Sequence, residues 1–317
     1  MRRTATCFAI AVGALWLTGA AAAYGWPLKP FDKMHAIRAG FDDPRYHVGL
    51  ESSASAFHFG VDIAAKDGTR VYAVAPGYVH RYVDHVTISR TGTRREFGYW
   101  HLDPAVHTGE HVRMHQLLGT IRGGWGHVHF AESVGGSYRN PLRKGALTPF
   151  YDHQPPTIAS ISLVGSTGAA VNPGNVTGTV DVESEIYDLP PIAPSGIWKV
   201  ARLAPSLVMW QLSRGGVPLT DWNLSADFTA TLMPPLAYPW IYAPGTYQNK
   251  PNRPGRYVFW ITRSLDTTSL PNGTYALTVM AEDMRFNESQ QSLTFRVANS
   301  GPVAPRGELR WAGGHAE

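Results

Sequence analysis

The sequence predicts an all-β protein, and three observations carry that expectation. Apolar residues recur at every second position over short runs, the alternation expected of half-buried strands. Gly and Pro are abundant, 32 and 24 in a chain of 317 residues, and they break those runs with turns. From Phe57 to Phe130 no stretch shows an apolar face at helical spacing over a useful length. A hydrophobic content of 44% against 16% charged residues describes a chain that folds, which excludes a disordered protein. Its length is enough for two cores.

Residues 1–23 read as an export signal. Arg2-Arg3 precede an apolar run from Cys7 to Leu17, and Ala20 to Ala23 supply small residues for cleavage before Tyr24. Cleavage after Ala23 is expected; the alternative is an uncleaved anchor, for which the run is short. Cys7 is the only cysteine and would leave with the leader, so the exported protein would hold neither thiol nor disulfide. Loss of Arg2 and Arg3 lowers the formal charge from +4 to +2. The sequence pI near 9.1 is therefore a mild attraction to anionic polymers at most. No Lys/Arg run accompanies it, so no nucleic-acid partner is expected, and with the short apolar leader removed no stable membrane span is expected.

The mature chain opens with an arm, residues 24–50. Tyr24-Gly25-Trp26-Pro27-Leu28-Lys29-Pro30 is extended and punctuated by proline, and Trp26 and Phe31 are expected to pin it to the adjoining domain. Residues 51–150 form that first domain, built of short strands. Val61 and Ile63 alternate with polar neighbours, Val71 to Ala75 runs into the turn Pro76-Gly77, and Val86 and Ile88 alternate. A further strand region, Val112 to Ile121, is expected to split near Gly119. A linker at 151–156 ends the histidine-rich half. Residues 157–300 then show clean alternation: Val180, Val182 and Ile186; Val208, Trp210 and Leu212; Tyr257, Phe259 and Ile261; Tyr275, Leu277 and Val279; Leu293, Phe295 and Val297. Short strands joined by Gly, Pro and Asn turns suggest an immunoglobulin-like β-sandwich, without the cysteine pair. The insert Pro234 to Pro254 is long for such a fold, and residues 301–317 read as a flexible tail.

The chemistry lies in the first domain. In Gly126-His127-Val128-His129-Phe130 the strand period puts both imidazoles on one face and the apolar residues on the other. Such a pair can hold a transition metal, or one ring can hold it while the other moves protons. Alone, His-x-His on a strand is more often a polar face. Upstream, His58-Phe59-Gly60-Val61-Asp62 places His58 and Asp62 on one face with Gly60 leaving open space between them. Two histidines and a carboxylate make a zinc set with an open fourth position, where bound water loses its proton near neutral pH. Hydrolysis also needs a base and a donor for the oxyanion or leaving amine, and His101, on a predicted strand, completes the set. His80, His85, His107, His111 and His115 are read as solvated.

Residues 58–130 resemble the catalytic domain of lysostaphin- or LytM-type zinc metalloendopeptidases, which cut peptides of bacterial peptidoglycan. The resemblance is carried by His58-x-Gly60-x-Asp62, Gly68-Thr69-x-Val71-Tyr72-Ala73, Gly77-x-Val79, Trp100-His101-Leu102, Gly109-x-x-Val112, Gln116-x-x-Gly119 and His127-x-His129-Phe130, in order and in register. It implies a small antiparallel β-sheet core with the site in a groove. One Zn2+ would be held by His58, Asp62 and His129, while His101 and His127 do the acid–base and oxyanion work. The implied partners are peptidoglycan peptides, with anionic wall polymers secondary, at the periplasm, the wall or the exterior. His115 stands where the family usually has Gly, and Ala131 where it has Glu. A non-catalytic wall-binding regulator is the alternative function, although relatives of that kind usually lose groups that this chain keeps. The arm could cover the groove, but none of its residues obviously reaches the zinc.

Overall fold

The structure, a computed structural model, describes residues 23–45 and 56–299. Residues 1–22 of the expected signal and the whole expected tail fall outside those residues. Every extended element is a strand in an antiparallel ladder, and the one α-helix among the described residues is a single turn, Tyr238–Ile241. The chain is all-β.

The first lobe holds β1 (Ile37–Ala39), β2 (Val61–Ala64), β3 (Arg70–Tyr72), β4 (Gly77–Arg81), β5 (His85–Ser89) and β6 (Arg95–Trp100). It continues with β7 (Leu102–Pro104), β8 (His111–Val112), β9 (Leu117–Ile121), β10 (His127–Val134) and β11 (Ser137–Arg139). The main sheet runs β1-β2-β10-β6-β5-β4-β8, with β11 also on β10; β3, β9 and β7 form a smaller one. Val61, Ile63, Val86, Ile88, Val128 and Phe130 turn inward and are fully buried, as their alternation requires. Two details differ from the sequence reading. The break in Val112 to Ile121 falls at residues 113–116, where His115 takes a left-handed φ of 64°. That conformation explains why a glycine suits the position. Gly119 lies inside β9 instead, because a β-carbon there would sit 3.1 Å from the Pro104 Cα.

The arm is anchored as expected. Trp26 is fully buried and its Nε1 donates to the Pro149 carbonyl at 2.8 Å, while Phe31 meets Tyr72 edge-on and stacks on His115. Tyr24 Oη donates to Glu132 at 2.5 Å. Glu132, with no exposed surface, also takes Arg95 and Arg143. A buried carboxylate is stable only with such partners. It comes directly after Ala131 on β10.

The second lobe has β12 (Thr157–Val164), β13 (Thr179–Tyr187), β14 (Leu207–Arg214), β15 (Val217–Pro218), β16 (Asn223–Asp227), β17 (Val258–Asp266), β18 (Gly273–Glu282) and β19 (Glu288–Val297). One sheet runs β12-β13-β17 and the other β15-β14-β18-β19, with β16 also on β14. Their inner faces share one apolar core of Val182, Ile186, Phe259, Val208, Leu277, Val279 and Phe295, a two-sheet sandwich. Trp210 and Leu293 join it only partly. The Pro-rich insert also packs inward: Tyr242 is buried against Phe228, Phe259 and Phe57.

The two lobes interlock. Phe57, two residues ahead of Phe59, belongs to the second core, and Leu203 of the second lobe belongs to the first. Asp43 accepts from Gly40 N and Ala204 N, both at 2.7 Å, and Asp42 accepts from Met233 N at 3.1 Å. Asn249 Nδ2 donates to the Arg38 carbonyl at 3.1 Å. The arm is thus clamped between the lobes, which helps to bury seven of the eight residues of β10.

Candidate active site

The antiparallel pairing of β10 with β2 sets His129 directly opposite Asp62, and the β10–β6 pairing sets His129 opposite Trp100. His58 comes from the loop just before β2. Gly60 is needed between them, for a β-carbon there would lie 2.8 Å from His129 Nε2 and press on the Phe130 carbonyl. The space attributed to Gly60 in the sequence is therefore filled by the imidazole of His129.

Three donor atoms converge. Asp62 Oδ1 is 3.0 Å from His58 Nε2 and 3.1 Å from His129 Nδ1, and those two nitrogens are 2.7 Å apart. His58 Nδ1 lies 2.6 Å from the Gly40 carbonyl, so it carries the proton and turns the Nε2 lone pair inward. Anchoring a ligand histidine through its second nitrogen to a carbonyl is the usual support of a metal site. All three residues are buried, and two imidazole nitrogens with one carboxylate oxygen are a donor set that suits zinc. His129 Nε2 is buried without a partner. Burial pushes the His129 imidazole down to about 3 and also lowers His58, beside which Arg45 adds its charge. Burial works to raise Asp62, but His127 and His58 outweigh it and hold the carboxyl well below the usual range. Neutral imidazoles and an ionised carboxylate are the protonation states that metal ligands need.

His127 lies on the same face as His129. Its Nδ1 is 2.8 Å from the Trp125 carbonyl and must donate, which leaves Nε2 as the acceptor, 3.4 Å from Asp62 Oδ1. The loop before it is held by Asp67, which accepts from Gly124 N and Gly126 N. His101 is not on a strand. It occupies a left-handed corner, φ 67°, between β6 and β7, where the chain leaves one sheet for the other. That corner swings its ring onto Trp125, with centroids 3.6 Å apart, and to 4.6 Å from the His127 ring. Its Nδ1 is buried without a partner, and burial followed by the His127 charge lowers its pKa to about 3. All five candidates, His58, Asp62, His101, His127 and His129, line one cleft of about 430 Å³.

Of the five histidines read as solvated, four are exposed; His85 is half-buried, stacked between Tyr82 and Trp100. The cleft also holds residues that no spacing in the sequence announces. Arg38 and Arg45 of the arm reach Asp62 Oδ2, at 3.8 and 3.4 Å, so the arm does touch the candidate donor set. Trp198, Gln248 and Asn249 of the second lobe form a wall. Only the fold brings these distant segments to the cleft.

A family model described as "Peptidase family M23" matches residues 56–141. That segment, with all five cleft candidates in it, matches the family, and the chain carries a metallopeptidase domain of that family, a hydrolase. Among solved structures it is similar to the catalytic domain of the antimicrobial peptidase lysostaphin from Staphylococcus simulans, at 23% identity over 32% of this chain and 86% of that one, TM-score 0.28. It is similar to a zinc-containing peptidase from Vibrio cholerae at 25% identity over 36% of this chain and 37% of that one, TM-score 0.29. A mutant catalytic domain of the prophage-encoded M23 protein EnpA from Enterococcus faecalis shares 26% identity over 40% of this chain and all of that one, TM-score 0.28. The chain thus spans little more than a third of the Vibrio protein. No curated protein matches it.

Proposed function

We propose that this chain is an exported zinc metalloendopeptidase that hydrolyses peptide bonds in the stem or cross-bridge peptides of bacterial peptidoglycan. One observation carries the reading: a buried His58–Asp62–His129 donor set shares one cleft with two further histidines, inside a peptidase-family segment. In this reading His58, Asp62 and His129 hold one Zn2+. The ion supplies electrophilic activation of the scissile carbonyl and of the attacking water.

The remaining steps belong to the chain's own groups. His127 is the proton acceptor, since the Trp125 carbonyl fixes its proton on Nδ1 and leaves the lone pair on Nε2, which Arg38 Nη2 approaches at 3.3 Å. His101 is the second group, its ring held flat on Trp125 beside His127, ready to donate to the developing oxyanion or the leaving amine. Because burial keeps His101 neutral at pH 7, it acts as a hydrogen-bond donor to the developing oxyanion, and the proton that His127 takes from water passes to the leaving amine. Trp100, Trp125 and Phe59 exclude water around the reacting amide.

In the same reading residues 51–150 are the peptidase domain and residues 157–300 an immunoglobulin-like sandwich, whose Trp198, Gln248 and Asn249 wall the cleft. Purified mature protein loaded with zinc should release new amino termini from peptidoglycan, and a chelator or His129→Ala should stop it. Failure to cleave any wall type would remove the proposal.

A further inference from the structure

The charge lining the cleft is one-sided. Among the described residues, Arg38 and Arg45 are its only cations and Asp62 its only acid. Asp62 divides its two oxygens: Oδ1 faces the three histidines, and Oδ2 faces both guanidiniums. With a divalent ion on His58, Asp62 and His129, two guanidiniums and the ion stand against a single carboxylate, a formal charge of +3 in the lining. In a partly dehydrated cleft such an excess favours an anion strongly and disfavours a cation.

Arg38 is also built for recognition. Its side chain is only 12% exposed. Nη1 donates to the Trp125 carbonyl at 3.1 Å, Nη2 approaches His127 Nε2 at 3.3 Å, and the guanidinium lies 4.2 Å from the centre of the Trp198 ring. A guanidinium fixed by stacking, by one carbonyl bond and by the approaches to Asp62 and His127 loses little freedom when it meets a carboxylate. It stands next to His127, the proposed proton acceptor, so an anion bound there lies beside the reacting amide. Trp198 belongs to the sandwich, so the second lobe sets the aim of a residue in the first.

We propose that this cleft selects peptides bearing a free carboxylate next to the scissile amide, and that Arg38, held by Trp198 and assisted by Arg45, is the residue that binds it. The inference rests on the peptidase reading and sharpens it: carboxylate-bearing stem cross-links are substrates, whereas neutral oligoglycine bridges are poor ones. Charge-assisted hydrogen bonds from a desolvated guanidinium make the expected preference about tenfold or more.

Three peptides test this: a cross-linked stem-peptide dimer with free carboxylates, its carboxamide counterpart, and pentaglycine. Turnover is measured with zinc-loaded protein. Binding is measured by calorimetry on zinc-loaded His127→Ala, which does not consume the peptides. The acid dimer should bind and turn over about tenfold better than the other two. Arg38→Gln in either background should bring acid and amide dimers together, and Trp198→Leu, which touches no proposed zinc ligand, should narrow the gap. Bound zinc is measured in each variant, so that loss of metal is not mistaken for loss of selection. Equal or tighter binding of the amide dimer or of pentaglycine overturns the inference while leaving a peptidase that cuts them. Preferential binding of the acid dimer without turnover of any peptide keeps the selection and removes the peptidase reading.

Discussion

Gly60 shows how closely the site is drawn around single residues. The side chain it lacks would occupy the volume of the His129 ring and the Phe130 carbonyl. Gly60→Ala therefore forces the β2–β10 pairing apart or moves the His129 imidazole, and either costs about 1–3 kcal/mol. Thermal unfolding of the metal-free protein should show that loss, and zinc titration should show weaker binding; an unchanged midpoint and affinity would mean the neighbouring backbone yields freely. The five candidates His58, Asp62, His101, His127 and His129 are all legible in the sequence, because their spacing and neighbours repeat a pattern. The meaning of the intervening glycine is not, since strand parity says which face a residue occupies and not what fills the space above it. His101 is found for its chemistry but expected on a strand, whereas a φ of 67° turns it out of the sheet.

Among the elements, β10 and the arm differ most in what their sequences disclose. The alternation in His127-Val128-His129-Phe130 is enough to assign a strand, a buried face and a polar face. The same holds for most of the sandwich, where inward residues such as Val182, Phe259 and Leu277 obey period two. The arm carries no such pattern. Its Trp26 and Phe31 announce packing, but its roles near the cleft depend on a carbonyl, Gly40 on His58, and on two guanidiniums. Backbone carbonyls have no residue-type signature, and a lone arginine, in a three-residue strand as Arg38 is or outside any strand as Arg45 is, reads as a solvated charge. Clamping by Asp42, Asp43 and Asn249 is what converts this irregular segment into a wall of the site.

Across the whole molecule, the junction between the lobes is where sequence reasoning stops, because contacts such as Asn249 to Arg38 span 211 residues. The junction also carries a second group of acids. Asp152, Asp188 and Asp283 are buried with carboxylate oxygens within 4.8 Å of one another. Burial, and then the charge of Asp152, pushes Asp188 from 3.8 up to about 8. A carboxyl whose pKa is raised on folding stabilises the fold below its unfolded value and loses that contribution as pH rises to the folded one. Stability should therefore fall from about pH 4 to about pH 8, and Asp188→Asn, uncharged throughout, should flatten that slope in denaturant titrations; an identical slope in the variant would place the raised acid elsewhere. The division of labour in the cleft is tested most directly by His127→Ala, with bound zinc and peptide turnover measured on the same sample. One zinc per chain with turnover abolished is the expected result. Loss of the zinc, or turnover near the wild-type rate, would contradict the assignment of His127 to proton transfer and of His58, Asp62 and His129 to the metal.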